Sequence, residues 1–155
     1  MNPIEDYFKP DHMKKFTFAL LLLVAYSSYG QCEFCNSLEE ALKKPEMVRS
    51  LKINPYTNKV PPMDSLPASI GSFPNLEVLY LTGHNFTSLP VEIGNLKKLR
   101  DLSFSECKLT WVPHELFSLT GLKGVILMDN KFPDDYKKYL RKMFDKHLPY
   151  AKVLL

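Results

Sequence analysis

Residues 76–98 read LEVLYLTGHNFTSLPVEIGNLKK, residues 99–121 read LRDLSFSECKLTWVPHELFSLTG, and a third copy opens with LKGVILMDNKF at Leu122. A fixed interval of 23 residues is longer than one strand and its turn, so it points to one supersecondary unit copied and stacked. Counted from Leu76 and Leu99, apolar residues occupy positions 1, 4, 6, 11, 14, 18 and 21 of both copies: Leu76, Leu79, Leu81, Phe86, Leu89, Ile93 and Leu96, then Leu99, Leu102, Phe104, Leu109, Val112, Leu116 and Leu119. In a chain that is 45% hydrophobic, chance would fill every slot with a probability on the order of 10⁻⁵, which argues against coincidence. Pro90 and Pro113 share position 15. Neither fits a sheet ladder or a helix centre, so both belong to the returning arc of a coil.

A degenerate coil precedes these. Leu66, Pro67, Ile70 and Phe73 repeat the second half of the pattern, and Val48, Leu51 and Ile53 have strand spacing. The two halves are held apart by five extra residues within NPYTNKVPPMDS. That stretch is rich in turn formers and reads as a loop bulging from the first coil.

The pattern L-x-x-L-x-L-x-x-N/C-x-L followed by L-P-x-x-I-x-x-L resembles the typical leucine-rich repeat, and the resemblance covers residues 48–132. It implies an α/β solenoid, a short right-handed horseshoe in which each coil gives one strand to a concave parallel β-sheet. In that family position nine holds an Asn or Cys whose side chain satisfies backbone groups after the strand; here it is His84, Cys107 and Asn130. Asn130 and Cys107 match. His84 departs, which implies either a looser ladder at that coil or participation of Asn85.

Stacked coils leave two apolar ends that need covering. Before the repeats, in residues 31–47, Ser37 stands three residues ahead of Glu40 and Pro45 closes the segment, which predicts an N-terminal capping helix. After them, in residues 133–155, Tyr136, Tyr139, Leu140, Met143 and Phe144 share a stripe, which predicts a C-terminal capping helix, with YAKVLL as a last short strand.

The chain's start reads as an address. Lys14 and Lys15, the apolar run from Phe16 to Ala25 and the polar YSSYG have the three regions of a signal peptide over 13–30, with the cut expected after Gly30. The apolar run is too short for a permanent span, so no transmembrane segment is expected after cleavage. Residues 1–12 fit no leader, and translation is expected to start at Met13. The whole, with its SLEEAL helix after the leader, is similar to small exported leucine-rich-repeat proteins of Bacteroidetes-type bacteria. The expected location is secreted, periplasmic or envelope-associated.

Export alters the meaning of CEFC. Without a strand ahead of it to build a redox site, Cys32 and Cys35 are expected to form a local structural disulfide; free thiols and thiol-disulfide exchange are the alternatives. The histidines His84, His114 and His147 fall at unrelated coil positions, and no phosphate-cradling loop is present. No catalytic residue, metal or cofactor is therefore expected. A net charge of +3 is too small for a nucleic-acid partner.

Strand alternation sends positions 3, 5 and 7 outward. The columns are Ser50, Val78, Asp101 and Gly124; Lys52, Tyr80, Ser103 and Ile126; and Asn54, Thr82, Ser105 and Met128. Apolar and aromatic anchors beside charge have the composition of a protein-binding patch. The candidate site for a protein or peptide partner is Lys52, Val78, Tyr80, Arg100, Asp101, Ser103, Ile126 and Met128. An envelope component binding polysaccharide or anionic lipid through Lys137, Lys138, Arg141, Lys142 and Lys146 is the alternative.

Overall fold

The computed structural model describes residues 32–155; the expected leader, its cut site and residues 1–12 lie outside the described residues. Six strands pair in chain order into one parallel sheet: β1 (Phe34–Cys35), β2 (Ser50–Ile53), β3 (Val78–Leu81), β4 (Asp101–Ser103), β5 (Gly124–Ile126) and β6 (Lys152–Leu154). Register follows the repeat: Ser50 pairs with Val78, Val78 with Asp101 and Asp101 with Gly124. The inward column beside it is Leu51, Leu79, Leu102 and Val125. All fourteen repeated apolar positions are at most 4% exposed, and they belong to one core running from Cys35 to Leu148. The fold is an α/β solenoid.

Each return arc holds a 3-10 helix, at Ala68–Ser72, Val91–Asn95 and His114–Ser118. Pro67, Pro90 and Pro113 precede them with φ of −72°, −70° and −67°, the angle the pyrrolidine ring imposes. These arcs stack tightly. A Cβ on Gly71 would lie 2.8 Å from Glu92 Cβ, and one on Gly94 would lie 2.7 Å from Glu115 Cβ. The same coil position in the last arc is Phe117, which has no further arc beside it and instead meets Phe144 edge-on at 5.1 Å.

Two features depart from the sequence reading. The segment before the repeats supplies a strand, β1, as well as the short helix α1 (Leu38–Ala41), where Ser37 Oγ accepts the Glu40 N–H. The bulging loop contains a helical turn, α2 (Pro55–Asn58), started by Asn54, whose side chain accepts the N–H groups of Tyr56 and Thr57. After the last coil, α3 (Asp134–His147) buries Leu140 and Phe144. Tyr136 on α3 accepts the Val112 N–H at 3.1 Å and donates to the Val112 carbonyl at 3.3 Å, tying the helix to the last coil. Cys32 and Cys35 are disulfide-bonded. Among the described residues no helix is long and apolar enough to cross a membrane.

Candidate binding face of the sheet

The outward columns form an uneven surface. Lys52 is exposed and its Nζ sits 5.0 Å from the centre of the half-buried Tyr80 ring, a cation–π distance. Ser103, expected on the contact surface, is only 5% exposed. It lies in register between the larger Tyr80 and Ile126, and its Oγ is shared with Ser105 Oγ at 2.9 Å and Thr82 Oγ1 at 3.4 Å. Ser103 is therefore the floor of a notch. Asp101 leans over Gly124, with Oδ1 2.7 Å from where a Cβ would stand. Val78 and Ile126 are half-buried and Met128 is exposed.

The candidate residues divide among separate places. Lys52 and Tyr80 line one recess with Asn36, Asn54, Thr57, Asn58 and Thr82. Arg100 lines another with Lys97, Lys98, Lys123 and Glu77, and Met128 lines a third with Phe144, Leu148 and Leu154 of the last helix and strand. Asn54 stands in the outward position-seven column and Thr57 and Asn58 in the bulging loop, and none of the three is among the candidate site residues. Asn followed by Pro is a helix-start signal, and it marks the turn that brings them to Tyr80. The first recess holds no carboxylate.

Beneath this face runs a ladder of position-nine side chains. Asn130 Nδ2 donates to the Phe104 carbonyl at 2.7 Å and its Oδ1 accepts the Leu109 N–H. Cys107 Sγ lies 3.4 Å from the Leu81 carbonyl. His84 reaches the equivalent Ile53 carbonyl with Nε2 at 3.3 Å, while Nδ1 accepts the Met63 N–H at 3.1 Å. Because a backbone N–H occupies Nδ1, the proton sits on Nε2. The longer imidazole suits the coil that carries the insertion, since Met63 lies in it. Asn85 takes part as well: its N–H donates to the Met63 carbonyl and its Nδ2 to Asp64 Oδ1 at 3.0 Å. Burial lowers the His84 pKa, partly opposed by the Ile53 carbonyl. Burial likewise pushes the Cys107 thiol up.

Tertiary packing brings His114 and His147 within 6.1 Å, both against Phe117, although their coil positions are unrelated. Among the described residues no group of three or more His, Cys, Asp or Glu side chains is placed to hold a metal.

No family model and no curated protein matches the chain. Among solved structures it is similar to a leucine-rich-repeat protein of Leptospira interrogans, with 30% identity and a TM-score of 0.54 over 70% of this chain. The match spans 24% of that protein's length. The described chain has a leucine-rich-repeat-like fold, whose outward sheet face is the surface that differs from coil to coil.

Proposed function

We propose that the protein is an exported interaction module of the small bacterial leucine-rich-repeat kind, binding a protein or peptide on the outward, concave face of its sheet without catalysis. In this reading α1 and α3 cap the two ends, and the mature chain begins at Gln31. The observation that carries it is the row Lys52, Tyr80, Ser103 and Ile126: a cation on an aromatic ring, a notch and an aliphatic anchor, held on rigid neighbouring strands. A preformed surface orders little on binding, so more of its contact energy is expressed as affinity.

The test is crosslinking and affinity capture in the native envelope with Tyr80→Ala/Ile126→Ala against the unmodified protein. Capture of the main partner is expected to fall at least tenfold, and an unchanged partner profile moves the site off this face. Arg100→Ala is a separate arm, because Arg100 lines its own recess. The polysaccharide or lipid reading is favoured by the exposed Lys138, Arg141, Lys142 and Lys146 of α3; it requires fractionation with cell wall or outer membrane that is lost on charge reversal of those four residues. A redox role through Cys32 and Cys35 requires reductase activity that Cys35→Ser removes.

A further inference from the structure

The recess beside Tyr80 is built from side chains whose orientation is dictated by the backbone. Asn54 Oδ1 is occupied by the Tyr56 N–H at 2.9 Å, and Asn58 Oδ1 accepts the Asn54 N–H at 2.8 Å. With both oxygens turned to the main chain, both amides must present Nδ2 donors away from it. Among the described residues neither Nδ2 has a hydrogen-bond partner. Lys52 contributes a full positive charge at the same recess, steadied over Tyr80, and no acidic side chain lines it. Amide N–H donors and one cation lining the same recess, with no competing carboxylate, are complementary to an anion with two oxygens.

From Lys52 the outward column continues over Tyr80 and the Ser103 notch to Ile126, three strands away. At about 4.8 Å between strands that is about 14 Å, which an extended peptide covers in about four residues. Resting on the binding face argued above, we propose that Lys52, Asn54, Asn58 and Tyr80 form a carboxylate pocket for an acidic side chain of an extended peptide whose aliphatic side chain, about four residues away, packs beside Ile126.

The probes are fluorescein-labelled octapeptides with a glutamate and a leucine four positions apart, in both orders, each with a glutamine analogue and a serine-for-leucine analogue, read by fluorescence anisotropy with the full protein. One order is expected to bind, with the glutamine analogue at least tenfold weaker and the gap shrinking as salt is raised. Lys52→Met should abolish that gap. Asn58→Asp keeps the acceptor for the Asn54 N–H but places a charge in the recess, so it should weaken the glutamate peptide more than tenfold and spare the glutamine analogue. Lys52 is exposed and Asn58 half-buried, and unchanged thermal unfolding confirms that both variants fold. Equal binding of glutamate and glutamine peptides, both weakened by Tyr80→Ala, overturns the carboxylate pocket and leaves the binding face standing. Failure of both orders to bind, or capture of polygalacturonate in their place, also overturns the pocket, while the face is judged by the crosslinking result.

Discussion

His84 is the residue whose replacement tells most about the repeat's tolerance for irregularity. Its ring needs Nδ1 as an acceptor, and it is 1% exposed, so protonation would both remove that acceptor and bury a charge. The folded pKa lies below the usual imidazole value of 6.5. The unfolded chain therefore binds more protons as pH drops below that value, and His84's contribution, complete above it, is lost as pH falls toward the folded pKa. Urea unfolding between pH 7.5 and 5 should show stability declining, with a shallower decline in His84→Asn. That variant also loses the bond to the Met63 N–H, at a cost of about 1 kcal/mol at neutral pH. Cys107, buried and with its thiol pKa raised, should resist alkylation by iodoacetamide until the protein is unfolded, as read by intact mass. Glu106 occupies the turn position where Gly83 also has positive φ, at 55° against 80°. Glu106→Gly should raise stability by about 0.5–1 kcal/mol, because relief of the left-handed strain outweighs the added chain entropy.

At the scale of the element, one coil position explains how the stack is both close-packed and ended. Gly71 and Gly94 let one 3-10 arc rest on the next, whereas Phe117 fills the space between the last arc and α3. Gly94→Ala places a methyl against the Cβ and carbonyl oxygen of Glu115 and should cost about 1–3 kcal/mol. Phe117→Gly would restore the residue that the repeat carries elsewhere, yet it should cost at least about 3 kcal/mol, because an aromatic side chain is removed from a buried contact. Chemical denaturation of the two variants checks both values. The pattern Gly, Gly, Phe was present in the sequence. Its meaning was not, because the spacing alone does not say which neighbour each arc touches.

At the scale of the molecule, the sheet and arcs of the described residues form a single core that Leu140 and Phe144 of α3 and Leu148 after it continue. Removing residues 133–155 would expose Phe117, Val125 and Leu127, which are buried in the intact chain, so the truncated protein should associate or aggregate on size-exclusion chromatography. The same molecular view separates what was legible from what was not. Coil period, interior residues and strand register were carried by the sequence itself, because a repeated spacing places each copy on the last and local alternation then assigns the faces. The ladder role of His84 was half legible: its position was clear, but its second partner, Met63, lies in an insertion with no periodic counterpart. The candidate site was legible only as columns. That α2 folds back to set Asn54 and Asn58 beside Tyr80, that Ser103 is shielded, and that Arg100 stands in a different recess are distances between residues far apart in the chain. Only the packing of complete coils sets them, since aperiodic segments have no repeat to place them and their position depends on which surfaces remain uncovered once the core has closed.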